Sequence, residues 1–447
     1  MEQETEILII GAGAAGLAAA RELSIAGLNV IILEARNRIG GRINTHIDSW
    51  PIELGAEFVH GKPPETFAIA QRANLKLQKI PNLHWHLHNG ILTKSDEFWS
   101  KLETVMADMS RYRGPDESFA EFINRYKQET PIDDIESIAT LYVEGFHAAH
   151  ADRISVDGLN KTNKAAEEIE DNKPFRLQNG YDQIVNTLHN EAVAAGATIH
   201  LERVVEEVIW KRNHVEVTTR ESLKFKARRL LSTMPLSLMH DFGAPAARVR
   251  FTPSLEEKVQ AARKLSLGHV VKVVLRFREA FWENLTVPGE GDKPADLKDL
   301  TFVHAPSEVV PTWWTQSPLK APLITGWAGG MRADSLSLAS EDLLLDRSIE
   351  SLSHIFSRSK RFLEESLEEF YTHNWHRDQF TAGAYSYIPV GGLEAQSQLA
   401  QPLEDTLFFA GEATNERGHH ATVHGAIATG LRAAREILNT VQKFSLT

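Results

Sequence analysis

Three glycines near the start of the chain and a later carboxylate have the types and spacing of a dinucleotide site. Gly11, Gly13 and Gly16 form a G-x-G-x-x-G pattern directly after the apolar run EILII. The first glycine permits a tight turn, the second lets the backbone approach a pyrophosphate, and the third lets a helix pack on a strand. Glu34 ends the apolar run NVIILE about 20 residues later, where a carboxylate binds ribose hydroxyls and repels a 2′-phosphate. The pattern predicts dinucleotide binding, disfavours NADP, and leaves NAD and FAD as alternatives.

A lysine and two tyrosines in the second half of the chain are candidates for chemistry. Lys272 interrupts the β-branched run GHVVKVVLRF, where a buried ammonium costs several kcal/mol unless it is paired. Tyr385 and Tyr387 lie two residues apart in TAGAYSYIP, so that in a strand both rings would point to one face. An aromatic face attracts cations. The alternatives are a solvent-facing lysine and two core tyrosines.

The elements around these residues alternate between strands and helices. TEILIIGAGAAGLAAARELSIAGLNVIILE predicts a strand, a helix and a second buried strand. Residues 175–238 return to this rhythm, with VEEVIW and HVEVTT as an antiparallel pair. EDTLFFAGEATN begins a closing strand, turn and helix, whereas residues 63–174 have mainly helical patterns.

Composition limits the functions that the chain can have. With 447 residues, 42% hydrophobic and 24% charged, it has the composition of a soluble globular protein, which we expect to be cytoplasmic because no leader or membrane span is recognisable. A net charge of −12 disfavours nucleic-acid partners. The absence of cysteine excludes disulfides, thiolate zinc sites and cysteine nucleophiles. Monomer and homodimer both stay open.

Several segments together resemble the flavin amine oxidase superfamily. They are the G-x-G-x-x-G turn, EARNRIGGR, IELGAEFVHG and GEATNERGHHATVHGA. Paired glycines beside an arginine let the backbone pass close to a ligand while a cation neutralises phosphate. The superfamily includes monoamine oxidases, polyamine oxidases, lysine-specific histone demethylases and L-amino-acid oxidases. The resemblance covers essentially the whole chain and implies FAD as cofactor.

The resemblance also implies an α/β fold with two interleaved domains. The first would be a Rossmann-type FAD-binding domain made of residues 1–62, 175–262 and 400–447. The second would be an α+β substrate-binding domain made of residues 63–174 and 263–399.

Family motifs carry a set of FAD contacts over to this chain. In the family, the residue at Val205 contacts the adenine through its backbone, and Glu412 would face the ribityl and pyrophosphate groups. Ala384 stands where monoamine oxidases carry the cysteine that binds flavin, so the resemblance implies non-covalent FAD. The implied cofactor residues are Gly11, Gly13, Ala14, Gly16, Glu34, Ala35, Arg36, Gly41, Arg42, Gly55, Ala56, Glu57, Val205, Trp375, Gly411, Glu412, Thr422 and Val423.

The same resemblance implies roles in amine oxidation. Lys272 matches the lysine that holds a water against the flavin and aids reaction with O2, while Tyr385 and Trp375 match aromatic residues beside the flavin. Thr422 replaces a second tyrosine of monoamine oxidases, which suits a long cationic amine. The candidate substrate-binding residues are His60, which resembles a channel histidine of spermine oxidases, the carboxylates Glu57 and Glu144, and Thr422.

We therefore predict an FAD-dependent polyamine oxidase of the spermine or spermidine type. Alternatives are a primary monoamine or L-amino-acid oxidase, for which no carboxylate-binding arginine is assigned, and a carotenoid-desaturase or protoporphyrinogen-oxidase-like flavoprotein. A non-catalytic flavoprotein scaffold or demethylase-like binding module is a further alternative. Two histidine clusters, HWHLH at 84–88 and HAAH at 147–150, are interpreted as surface or cleft histidines, so no metal is predicted.

Overall fold

The computed structural model describes residues 2–94, 97–129, 135–239, 247–289 and 294–445. The strands in these ranges are, in chain order, β1 (Glu2–Ile10), β2 (Val30–Leu33), β3 (Thr45–Ile47), β4 (Pro51–Glu53), β5 (Leu77–Lys79), β6 (His84–His88), β7 (Ile91–Lys94), β8 (Phe175–Leu177), β9 (Thr198–His200), β10 (Val205–Lys211), β11 (His214–Thr219), β12 (Lys224–Ser232), β13 (Arg250–Thr252), β14 (Ser266–Leu267), β15 (Val270–Phe277), β16 (Thr286–Pro288), β17 (Pro294–Asp296), β18 (Phe302–His304), β19 (Thr312–Thr315), β20 (Leu323–Gly329), β21 (Leu367–Thr372), β22 (Ser386–Tyr387) and β23 (Leu407–Phe409).

The helices in the same ranges lie between these strands. They are α1 (Ala14–Ile25), α2 (Pro64–Arg72), α3 (Glu97–Arg111), α4 (Phe119–Glu129), α5 (Ile135–His147), α6 (Val156–Glu168), α7 (Asp182–Ala194), α8 (Glu256–Arg263), α9 (Gly330–Leu336), α10 (Glu341–Ile355), α11 (Lys360–Ser366), α12 (Ala395–Ala400) and α13 (Val423–Ser445). No helix in the described ranges is both long and apolar enough to cross a membrane.

The first sheet has the strand order β13-β10-β11-β12-β1-β2-β9, with β23 also paired to β12. Strand β1 runs parallel to both β12 and β2, and its last four residues, 7–10, are buried. Strands β10 and β11 form the predicted antiparallel pair. The sheet draws its strands from three separate parts of the chain, so the glycine turn after β1 meets segments that are remote in sequence.

Small residues bring helices close to this sheet and to one another. A Cβ atom on Gly16 of α1 would lie 2.0 Å from the Gly11 carbonyl oxygen. One on Gly430 of α13 would lie 2.2 Å from the Ala15 carbonyl oxygen. Helices α1, α7 and α13 thus bury an apolar layer that includes Leu17 and neighbouring alanines.

The second sheet has the order β21-β15-β20-β19-β18-β6-β7. Its core contains the fully buried Trp313 and Phe277. Strands β6 and β7 lie within residues 63–174, whose sequence patterns are mainly helical. A strand forms here because the side chains of HWHLH alternate between buried and more exposed positions, and β6 pairs with β18. The predicted α/β fold is confirmed, and Lys272 lies in β15, which is paired between the edge strand β21 and β20.

Candidate active site

The turn between β1 and α1 has the geometry that a pyrophosphate needs. Gly11 has φ +99°, a value that favours glycine. A Cβ atom on Gly13 would meet no atom within 4 Å, so this residue borders open space. Helix α1 begins at Ala14 with no side-chain cap and no acidic residue in its first turn. Its N-terminal N–H groups therefore suit an anion, which fits the predicted cofactor.

Glu34 links the glycine turn to the end of β2. Its carboxylate accepts hydrogen bonds from the backbone N–H groups of Ala12 at 2.8 Å and Arg36 at 2.9 Å. Its carbonyl oxygen accepts from the N–H of Arg203 at 2.8 Å, shortly before Val205 begins β10. Two hydrogen bonds leave acceptor capacity on the carboxylate, so the buried Glu34 fits the predicted ribose contact.

The second glycine pair lies directly against the first turn. Gly40 forms a parallel bridge with Gly13. Gly40 and Gly41 have φ values of +100° and +60°. Arg38 holds this turn by donating to the carbonyl oxygens of Gly41 and Ile43, each at 3.0 Å. The backbone beside the predicted pyrophosphate site is therefore fixed by protein contacts.

Arg42 and Glu412 join three parts of the site. Arg42 Nη1 donates to the Ala384 carbonyl oxygen at 2.7 Å and to Glu412 Oε1 at 2.9 Å. Glu412 also accepts from Ser386 Oγ at 2.6 Å and the Ala421 N–H at 2.9 Å. Burial raises the pKa of Glu412, but Arg42 and these hydrogen bonds lower it by more. Glu412 is thus an anchor between the Arg42 loop, β22 and the start of α13.

Thr422 caps the helix that begins at Val423. Its hydroxyl donates to the His419 carbonyl oxygen at 2.7 Å and accepts from the Gly425 N–H at 3.0 Å. A threonine is a favoured residue at such a helix start. The side chain is therefore committed to the helix terminus and presents no aromatic ring.

Lys272 and Trp375 meet at the backbone of residues 54 and 55. Lys272 is 2% exposed, and its Nζ donates to the Gly55 carbonyl oxygen at 3.1 Å and to Glu57 Oε2 at 2.7 Å. Trp375 Nε1 donates to the Leu54 carbonyl oxygen at 2.8 Å. The structure thus brings together two of the three predicted catalytic residues, and the lysine is buried in the strand rather than exposed to solvent.

Glu57 is the centre of a buried polar network. Its Oε1 accepts from Arg176 Nη2 at 2.8 Å and from Trp314 Nε1 at 3.0 Å. Burial raises the pKa of Glu57, but Lys272 and Arg176 together lower it to about 2. The predicted contact between Glu57 and a substrate ammonium does not fit this arrangement, because protein donors occupy the carboxylate. Sequence reasoning missed Arg176, whose only signal is an arginine in the short strand FRL.

The side chains of Tyr385 and Tyr387 lie in different surroundings. Tyr385 is partly buried, and its hydroxyl donates to the Phe146 carbonyl oxygen at 3.0 Å. Burial, followed by the charge of Glu412, raises the pKa of Tyr385. Tyr387 is 1% exposed and packs in the apolar core formed by helices α3 to α6. Tyr385 stays the candidate for the site, and Tyr387 is a packing residue.

Two predicted substrate-binding residues remain, His60 and Glu144. His60 has a side chain that is 37% exposed, with Nδ1 3.4 Å from Asp171 Oδ1. Glu144 is 6% exposed and packs against Gly330, and burial raises its pKa while the charge of Arg332 opposes this effect. These contacts place His60 at the protein surface and Glu144 beneath α9.

The histidine clusters do not form a metal centre in the part of the chain that is described. No group of three or more His, Asp or Glu side chains in those ranges is arranged to hold an ion. His84 and His86 instead stack with His304, at ring-centroid distances of 5.2 and 5.0 Å.

The glycine turns, the buried Glu34 and the parallel sheet fit an α/β dinucleotide-binding protein. Residues 14–438 match the family described as flavin containing amine oxidoreductase. The chain therefore belongs to this family, which confirms the resemblance seen in the motifs.

Relatives support this assignment over most of the chain. Polyamine oxidase 3 of Oryza sativa subsp. japonica is 30% identical, over 96% of this chain and 88% of its own length. Lysine-specific histone demethylase 2 of Homo sapiens is 27% identical, and the chain spans 53% of its length. Putrescine oxidase bound to putrescine has the same fold, with a TM-score of 0.80 at 21% identity over 98% of this chain and all of that chain.

Proposed function

We propose that the chain is an FAD-dependent amine oxidase that acts on polyamines of the spermine or spermidine type. When bound, FAD would accept a hydride equivalent from the carbon next to the amine nitrogen, and O2 would reoxidise it with release of H2O2. Hydrolysis of the oxidised amine would give an aminoaldehyde. The protein binds and orients both reactants.

The residues around the glycine turns would hold FAD without a covalent bond. The N-terminus of α1 would bind the pyrophosphate, and Glu34 would bind the ribose. Ala384 has no nucleophilic atom that could bond to a flavin. Residues proposed to contact FAD through backbone or side chain are Gly11, Gly13, Ala14, Gly16, Glu34, Ala35, Gly41, Arg42, Gly55, Ala56, Val205, Trp375, Gly411, Glu412, Thr422 and Val423.

The observation that carries the choice of substrate is the capping role of Thr422. The Thr422 hydroxyl is hydrogen-bonded to the His419 carbonyl oxygen and to the Gly425 N–H. Of Thr422 and Tyr385, only Tyr385 therefore supplies an aromatic ring. One ring can orient an amine by its π-face without enclosing it. A site open on one side accommodates a chain that extends beyond the reacting nitrogen. The 30% identity to a polyamine oxidase supports the same choice.

The other polar residues would serve binding and reoxidation. His60, half-exposed beside Asp171, can hydrogen-bond an arriving amine directly or through water. Lys272 supplies a buried cation at the site. The net charge of −12 favours the approach of a cationic substrate.

An anaerobic titration of the purified yellow protein tests this proposal. Spermine, spermidine, a phenylalkylamine and an L-amino acid are added in turn while the visible absorbance of the flavin is followed. Bleaching by a polyamine alone is expected. Bleaching by the phenylalkylamine alone would assign a monoamine oxidase, and bleaching by the amino acid alone would assign an amino-acid oxidase. If none of the four bleaches the flavin, the proposed function is wrong.

A further inference from the structure

Glu57 is a buried carboxylate that meets four protein N–H donors. Lys272 Nζ lies 2.7 Å from Oε2, while Arg176 Nη2 at 2.8 Å, Arg176 Nε at 3.2 Å and Trp314 Nε1 at 3.0 Å converge on Oε1. A carboxylate has about four lone-pair sites, and four protein donors are directed at this one, three of them at Oε1. Glu57 is 5% and Lys272 2% exposed. Glu57 is therefore built to hold protein cations and not a substrate ammonium.

We propose that Glu57 is a positioning residue for Lys272: it fixes the ammonium against the Gly55 carbonyl oxygen while reduced flavin reacts with O2. This inference rests on the proposed function, in which Lys272 supports that reaction. In this arrangement Glu57 does not bind substrate, and Arg176 and Trp314 are the groups that hold it in place.

The two cations around Glu57 have different tasks. Arg176 approaches with two nitrogens of its planar guanidinium, a geometry that fixes a carboxylate oxygen firmly. Lys272 reaches Glu57 from β15, which is a different sheet element from β8, where Arg176 lies. With Oε1 held by Arg176 and Trp314, Oε2 becomes a fixed acceptor for the lysine. One carboxylate between two cations gives the group formed by Lys272, Glu57 and Arg176 a formal charge of about +1.

Glu53 is the other carboxylate that faces this cluster. It interacts with Lys272 and Glu57 through space, but its own oxygens accept from the Tyr181 N–H at 2.7 Å and from Thr45 Oγ1 at 2.8 Å. The titratable groups facing Lys272 are therefore Glu57, Glu53 and, behind Glu57, Arg176. Glu53 is a matched control: a buried carboxylate nearby that does not touch the lysine.

A fixed cation is useful because the reoxidation step develops negative charge on dioxygen. Two electrons and two protons pass from reduced flavin to O2, which gives oxidised flavin and H2O2. A preorganised ammonium in a site of low dielectric constant stabilises that charge as it forms. Removal of Glu57 releases the Lys272 ammonium from its fixed position, so reoxidation should become slower.

The first test measures reoxidation without any amine. The flavin of the holoenzyme is reduced with dithionite, mixed with oxygenated buffer, and followed by absorbance. In Glu57→Gln the rate of reoxidation should be roughly tenfold or more below that of wild type, whereas Glu53→Gln should stay close to wild type. Glu57→Asp, which keeps the charge, should lie between them. A wild-type rate of reoxidation in Glu57→Gln would overturn the proposal.

A second test measures the pairing itself by thermal unfolding of the holoenzyme. Glu57→Gln, Lys272→Met and the double variant form a double-mutant cycle. Each single variant leaves an unpaired buried group, so the double variant should be destabilised by less than the sum of the two. Additive effects would contradict the pairing. If Glu57→Gln alone is too unstable to purify, failure of Lys272→Met to restore folding in the double variant would contradict it as well. Because no amine is used, either result stands independently of the polyamine titration.

Discussion

Arg36 and Asp378 form a two-pronged ion pair that joins the end of β2 to the loop before Tyr385. Arg36 Nη2 lies 2.7 Å from Asp378 Oδ1, and Nη1 lies 2.9 Å from Oδ2. His373 Nε2 lies 3.0 Å from the same carboxylate. Arg36, which is predicted as a cofactor contact, thus has a protein carboxylate as its partner. This ion pair holds the segment that carries Trp375 and Tyr385 against the end of β2.

Removal of this ion pair should weaken flavin binding. In Asp378→Asn the guanidinium of Arg36 stays largely buried without its anion, and the loop that carries Trp375 and Tyr385 loses its anchor. We expect the flavin dissociation constant to rise roughly tenfold, with a lower unfolding temperature. Flavin fluorescence on dilution measures the first effect and circular dichroism the second.

A surface ion pair provides the control for this variant. Asp405 lies 3.8 Å from Arg212, and both side chains are well exposed. Asp405→Asn should leave flavin binding and unfolding temperature close to wild type, because exposed pairs contribute little. Equal flavin dissociation in the two variants would show that the Arg36 contact does not hold the site together.

Two glycines of one motif should respond differently to the same substitution. A Cβ atom on Gly16 would lie 2.0 Å from the Gly11 carbonyl oxygen, whereas one on Gly13 would meet no atom within 4 Å. Gly16→Ala should therefore disturb the packing of α1 on β1 and lower the unfolding temperature. Gly13→Ala should fold normally but retain less flavin, because the added methyl group would occupy the space that the pyrophosphate needs.

The measurement is the flavin-to-protein absorbance ratio of each purified variant, together with its thermal unfolding curve. Gly27→Ala tests a glycine with φ +86° and open surroundings outside the motif. It should lose some stability through backbone strain while keeping its flavin. Full flavin content in Gly13→Ala would argue against pyrophosphate binding at this turn.

Local patterns in the sequence predicted the fold well because its main elements are periodic. The apolar run EILII became β1, and the glycine spacing matches the turn after it. The polar network around Lys272 was not predictable in the same way. Glu57 contacts Arg176 across 119 positions and Lys272 across 215, so no local spacing indicates these pairs. The lysine in an apolar strand signalled that a partner must exist but not which carboxylate it was.

Ala384 leads to a prediction about the flavin linkage. The residue is 7% exposed, its carbonyl oxygen accepts from Arg42, and its methyl side chain offers no atom for a covalent bond. We expect acid precipitation of the holoenzyme to release all of the flavin into the supernatant. Yellow flavin that stays with the precipitated chain would contradict this. Ala384→Cys is the complementary variant, since it places a thiol directly before Tyr385.

Three stacked histidines should make stability depend on pH. His84 Nδ1 lies 2.9 Å from His304 Nε2, and the ring of His86 stacks on the ring of His304 at a centroid distance of 5.0 Å. Burial, followed by the nearby His86, lowers the pKa of His84 to about 4, and burial lowers the pKa of His304 as well. In the unfolded chain a histidine titrates near 6.5. The contribution to stability is therefore complete above about pH 6.5 and is lost as the pH falls toward about 4.

Urea unfolding at about pH 7 and about pH 5 measures this effect. Between these values His84 alone should reduce the free energy of unfolding by on the order of 2 kcal/mol, because the unfolded state gains a proton that the folded state does not bind. His84→Asn should shrink the difference between the two pH values, even if it lowers stability at both. His88, exposed on the same strand, is the control, and His88→Asn should leave the difference unchanged. The same pH dependence in wild type and His84→Asn would mean that other groups govern unfolding in acid.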